Sequence, residues 1–212
     1  DSVDMNDTVR RILEAANRAP SGENCQPWHF VVSGSTIGIQ LLPERDQSAY
    51  GWGQRASYMA IGAAIENLVL AASAERMSAE VAYFPDSQQN HVATVVLKED
   101  ASVHSDILAP AISKRITNRK PFARTPLAAE ARKALEDSVS EQGVSLVLIE
   151  DREAMNHLGR VGSTNEEVML GNRALHDFFF SHVSWTKEED EKKKVGFYIK
   201  TLELPPPAEK MF

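Results

Sequence analysis

Apolar positions recur at helical spacing across residues 6–18, where Val9, Ile12, Leu13, Ala16 and Ala19 share one face. Asp7 is placed to cap this helix, and Pro20-Ser21-Gly22 stops it. Residues 28–32 and 36–42 are β-rich runs separated by Ser33-Gly34-Ser35, which predicts a hairpin. A loop with Pro43, Gly51 and Gly53 follows. Residues 54–76 form the longest helical pattern. Its Ala56, Ala60, Ala63 and Ala64 make a small face, while Ile61, Ile65, Leu68 and Leu70 supply bulk, so it is the expected central helix. Two more strands are predicted at 80–84 and 91–97, joined by a polar loop at Pro85-Asp86. Helices are predicted at 103–116, 127–142 and 153–180, the last with a weak point at Gly159 to Gly162. Residues 144–149 read as a short buried strand. Residues 187–194 are charged with mixed signs and read as a solvated face or loop, and Leu204-Pro205-Pro206-Pro207 reads as a rigid extended segment. Antiparallel hairpins mixed with long helices predict an α+β fold.

Composition narrows the class. At 212 residues, one domain spanning 1–212 is the expectation. Hydrophobic residues make up 42% and charged residues 25%, which argues against long disorder. The formal charge of −7 gives no general attraction to nucleic acid, so none is expected as a partner. The longest apolar run, 59–72, is interrupted by Glu66 and Asn67, so no membrane span is expected either. One cysteine, Cys25, leaves no intrachain disulfide, and a cytoplasmic location is the simple expectation. The chain begins at Asp1 and not Met, which leaves a removed export signal open.

Two stretches could carry chemistry. Residues 19–30 run from a helix end through a polar turn into a strand that opens with Pro27-Trp28. Ser21, Asn24 and the backbone N–H groups of that turn could hydrogen-bond a planar heterocycle; an ordinary helix-to-strand loop is the bland alternative. Residues 114–120 hold four cations, Lys114, Arg115, Arg119 and Lys120, in an otherwise acidic chain. Arg115, Thr117 and Arg119 alternate, so an extended backbone puts them on one side, where two guanidiniums and a hydroxyl could clamp phosphate. A surface cluster paired with acids is the alternative. His29 and His91 lie in strand patterns and read as structural. No zinc spacing, dinucleotide-binding glycine turn, P-loop or nucleophile elbow is present in the sequence, and no metal site is expected. Phe178, Phe179 and Phe180 with Trp185 read as core or interface, or as a lid over a flat ligand.

Ala19-Pro20-Ser21-Gly22-x-Asn24-x-Gln26-Pro27-Trp28-x-Phe30 resembles the signature of the nitroreductase superfamily of FMN-binding oxidoreductases, with nine specified positions in twelve residues. Arg115-x-Thr117-x-Arg119, followed by Phe122, resembles that family's phosphate element with Thr for Ser. Here the phosphate element follows the signature, an order similar to that of the divergent two-lobed Acg-type branch. The resemblance implies a mixed or antiparallel sheet surrounded by helices with a long central helix. It implies FMN, its phosphate held by Arg115, Thr117 and Arg119. Pro20, Ser21, Gly22 and Asn24 would then line the flavin, with Gln26 shaping the loop and Tyr58 a speculative pocket contact. It implies hydride transfer from NAD(P)H through flavin N5 to a small electron acceptor such as a nitroaromatic or quinone, within a homodimer or an intrachain pseudo-dimer. An obligatory catalytic side chain is not implied. Against the branch pattern, a second alanine-rich long helix is missing, which implies a chain incomplete at its C-terminus, a part supplied by another chain, or a trimmed fold. The alternative function is FMN binding or storage with a lid-covered flavin and little turnover.

Overall fold

A computed structural model describes residues 7–46, 53–88, 90–123, 125–140 and 143–203. It divides into two compact units, residues 1–118 with 178–212, and residues 119–177.

The first unit begins with helix α1, Asp7–Ala16, which buries Val9, Ile12 and Ala16. Strands β1, Trp28–Ser33, and β2, Thr36–Leu41, pair antiparallel from Trp28↔Leu41 to Ser33↔Thr36. The connection is two residues, and Gly34 takes a positive φ of 61° there, which suits a tight hairpin. Helix α2, Arg55–Ala74, is the central helix. Its Ala60 and Ala64 are buried, as the small face predicts, and Ile61, Ile65 and Leu68 are buried in the same core. Ala56 is exposed. By length and composition alone α2 would suit a membrane span, yet half of its apolar window is buried inside this unit. Strands β3, Met77–Tyr83, and β4, His91–Glu99, complete a four-stranded antiparallel sheet in the order β1-β2-β4-β3. Ile37, Ile39, Leu41, Val95 and Leu97 point from it into the core. The Trp28 indole N–H donates to Asn17 Oδ1 at 2.7 Å, so its buried ring leaves no donor unsatisfied.

The architecture is α+β, as expected, with several local corrections. Strand β3 starts at Met77, not residue 80, because Arg76 adopts a left-handed φ of 56° and turns the chain straight from α2 into the sheet. Residues 103–116 do not form a helix; only a short 3₁₀ turn, Ala109–Ala111, occurs. Pro110 lacks an N–H, and side chains capture nearby amides: the Asp106 N–H donates to Ser73 Oγ and the Leu108 N–H to Asp106 Oδ1. The charged run predicted as a solvated face or loop contains helix α6, Lys187–Lys193, largely exposed and started by a capping box between Thr186 and Glu189. Two short strands that the pattern missed flank it: β5, Val183–Ser184, pairs parallel with β6, Phe197–Tyr198. Residues 204–207 lie outside the described residues.

The second unit holds α3, Ala129–Val139, and α4, Arg152–Gly171. Residues 144–149 are not a strand: their backbone joins no ladder, and Val144, Leu146, Val147 and Ile149 are exposed. A strand needs a hydrogen-bonded neighbour, and none pairs with them among the described residues. The helix predicted over 153–180 breaks at Asn172, not at Gly159 to Gly162. Asn172 Oδ1 accepts the N–H groups of Ala174 and Leu175 and so starts a new helix, α5, Arg173–Ser181.

Candidate functional site

The signature turn is built by three non-glycine residues in left-handed conformation: Glu23 (φ 42°), Asn24 (φ 55°) and Gln26 (φ 49°). Such residues persist only where surrounding contacts fix them. Those contacts are present. The Ser21 hydroxyl accepts the Gln26 N–H at 3.0 Å, the Asn24 N–H donates to the Ser21 carbonyl at 3.1 Å, and the Cys25 N–H donates to the Gly22 carbonyl at 2.8 Å. Arg45 donates to the Gln26 carbonyl from outside.

The side-chain amides of the turn reach a distant loop. Asn24 Nδ2 donates to the Gly196 carbonyl at 2.8 Å, and Gln26 Nε2 to the Lys194 carbonyl at 2.8 Å. The Gly196 N–H returns a bond to the Asn24 carbonyl at 3.2 Å. Two of the residues expected at a flavin thus hold the 194–196 loop, while Pro20 and Gly22 stay exposed and Ser21 is half-buried. Sequence spacing did not single out Gly196 for this contact. The glycine itself was the local signal, and the structure places it at a positive φ of 84°.

Beneath the turn sits a polar cluster. Ser57 Oγ donates to Asp46 Oδ2 at 2.9 Å, both residues being buried, and Gln54 Nε2 donates to the Asp46 carbonyl. Burial pushes the Glu23 carboxyl above its ordinary range; nearby His182 opposes this and Asp46 adds to it. Burial, with Asp46 and Glu23, pushes the Cys25 thiol up to about 11, which keeps it an unreactive thiol at neutral pH. A carboxyl raised on folding contributes no penalty below its unfolded pKa. Stability then falls as pH rises through the window between the unfolded and folded values, and stays lower above it. Glu23→Gln is therefore expected to gain stability over the parent at pH 7 and none at pH 4, measured by urea unfolding. Equal differences at both pH values would refute the assignment.

The basic stretch meets the signature within the first unit. Arg115 Nη2 donates to the Arg18 carbonyl at 3.1 Å, one residue before Ala19. That carbonyl lies just past the end of α1, where a cation is favoured. Arg115 and Thr117 are exposed. Arg119 opens the second unit and is described only there. Tyr58 sits edge-on against Phe84, with ring centroids 6.0 Å apart. The aromatic run packs on its own neighbours: Phe180 lies parallel to Trp185 at 5.9 Å, and Phe179 meets Phe197 at 5.7 Å. An exposed arginine fastened just ahead of the signature is the donor chemistry that a phosphate-bearing ligand calls for.

The nitroreductase family model matches residues 5–37, which contain α1, the whole signature, strand β1 and the start of β2. An uncharacterised Mycobacterium tuberculosis protein is 28% identical over 200 residues, covering 93% of this chain and 27% of its own length. Another, provisionally named NAD(P)H nitroreductase, is 30% identical over 123 residues, covering 57% of this chain and 36% of its own. A third of the same provisional name, acg, is 26% identical and covers 85% of this chain and 55% of its own. The chain thus spans about half or less of the length of these curated relatives. A solved structure from Desulfovibrio desulfuricans, a provisionally named nitroreductase in complex with FMN, is 23% identical and covers 58% of this chain and 89% of its own, with a TM-score of 0.39. The family model and the run of M. tuberculosis relatives agree: the signature-bearing segment is that of the nitroreductase family, and the chain as a whole is similar to provisionally named nitroreductases.

Proposed function

We propose that this chain is the FMN-binding part of an NAD(P)H-dependent oxidoreductase of nitroreductase type. The observation that carries the reading is the junction of two distant motifs, where Arg115 is fastened to the backbone of Arg18, 97 residues earlier, at the head of the signature. FMN, when bound, supplies hydride chemistry between a nicotinamide donor and a small electron-poor acceptor such as a nitroaromatic or quinone. The protein's part is to bind and orient. Arg115, with Thr117 and Arg119, answers the phosphate charge, since a buried phosphate without a cation would be costly. Pro20, Ser21 and Gly22 present the turn's edge to the flavin. Asn24 and Gln26 act at one remove, by holding the turn in its left-handed shape.

A second reading has a specific observation behind it. The Val183–Tyr198 segment is fastened to the turn by three hydrogen bonds, so it is in place to limit access and make the protein a flavin binder with little turnover. One experiment separates the two readings. The protein is purified, its visible spectrum recorded with and without added FMN, and NADPH added anaerobically. Flavin bands that bleach are expected for an oxidoreductase. Bands that persist support the covered binder, and failure to take up FMN refutes both.

A further inference from the structure

We propose that Arg18 is a positioning residue for the phosphate element, a role that rests on the FMN reading above. Arg18 lies outside both motifs. Its guanidinium reaches across to residues on the approach to Arg115: Nε donates to the Ile112 carbonyl at 3.4 Å and Nη2 to the Ser113 carbonyl at 3.0 Å. In return, Arg115 Nη2 donates to the Arg18 carbonyl at 3.1 Å. The two arginines form a reciprocal clamp in which each side chain holds the other's backbone neighbourhood.

The clamp answers a local need. Residues 112–117 are not a helix or a strand, so no ladder fixes them. The Lys114 and Arg115 N–H groups both turn back to the Ala111 carbonyl, and the buried Ile112 side chain anchors the base of the segment. The Ile112 and Ser113 carbonyls are the acceptors that Arg18 satisfies. A guanidinium can bridge two carbonyls because its N–H groups form a rigid planar fork, which a lysine ammonium lacks. With Nε and Nη2 so engaged, Arg18 serves the segment that bears Arg115 and not the ligand. Its effect on a flavin is indirect and is confined to the end where the phosphate lies.

That confinement gives the test. Riboflavin shares the ring and ribityl chain of FMN but has no phosphate. Dissociation constants for FMN and riboflavin are measured by flavin fluorescence for the parent, Arg18→Ala and Arg18→Lys, with circular dichroism as the check on folding. The parent is expected to prefer FMN. Arg18→Ala is expected to weaken FMN binding about 10-fold or more, the scale of losing charge-assisted hydrogen bonds, while riboflavin binding changes little. Arg18→Lys is expected to recover part of the FMN preference. Equal weakening of both ligands, or no change in either, overturns the positioning role while leaving the FMN reading intact. A parent that binds FMN no better than riboflavin overturns the phosphate reading itself, and the role of Arg18 with it.

Discussion

The double variant Arg115→Ala/Arg119→Ala is expected to purify without flavin and to take up added FMN at least 100-fold more weakly than the parent. The phosphate of FMN carries close to two negative charges, and Arg meets such oxygens with paired, charge-assisted bonds. Each hydrogen bond to a charged group contributes about 1.5–3 kcal/mol, so two together correspond to about 10²–10⁴ in Kd. Arg115 is exposed, and among the described residues its side chain hydrogen-bonds the Arg18 carbonyl, so truncating it leaves the core of the first unit untouched. Fluorescence titration reads the affinity, and thermal unfolding of the flavin-free protein reads the fold. The single variant Arg115→Lys keeps the charge and loses the planar fork, so an intermediate affinity is expected. Unchanged flavin content in the double variant, with its fold intact, would remove the phosphate assignment and leave the basic stretch as a surface cluster.

Much of the first unit was legible from residue order. The spacing of Val9, Ile12 and Ala16 encodes one buried surface, and so do Ala60, Ala64, Ile61, Ile65 and Leu68 of α2; these are buried, while Ala56 of the same small face is exposed. The misreadings have a common origin: local pattern cannot see a competing hydrogen-bond partner. Residues 103–116 carry enough apolar residues for a helix, yet Ser73 and Asp106 side chains take the amides that a helix would use. Residues 144–149 have the composition of a strand but no paired neighbour among the described residues. The candidate site shows the same limit. Asn24 reads as a polar side chain in a turn, the pattern of a ligand contact, and the resemblance gives Gln26 a part in shaping the loop. Their partners are carbonyls of Gly196 and Lys194, about 170 positions later, and no local pattern predicts that meeting. Arg18 escaped notice because its function depends on carbonyls of residues 112 and 113.

Gly196→Ala is expected to be the most damaging single methyl addition in the first unit. Gly196 is buried with φ +84°, a conformation that L-residues adopt at a cost of about 1–2 kcal/mol. The added Cβ would also lie 2.1 Å from the His182 carbonyl oxygen and 3.0 Å from its carbon. Both are backbone atoms, so no rotamer change relieves the overlap and the two segments must part. Parting breaks the Phe197 N–H bond to the same His182 carbonyl at 2.9 Å, which opens the β5–β6 pair. It also strains the reciprocal bonds between Gly196 and Asn24 that hold the signature turn. Three hydrogen bonds at about 0.5–1.5 kcal/mol each, added to the backbone term, give a loss of about 3–6 kcal/mol, a large part of a typical domain's stability. Gly34→Ala is the matched control: it too has a positive φ, 61°, but its Cβ would meet nothing within 4 Å. The control is expected to lose only the backbone cost, about 1–2 kcal/mol, or a few degrees in Tm. Gly196→Ala should lose clearly more, with faster amide exchange at residues 22–26 as well as 182–198. Equal losses in the two variants would mean that the loop moves aside freely. Fast exchange confined to 182–198 would mean that the signature turn keeps its shape without the Gly196 contact.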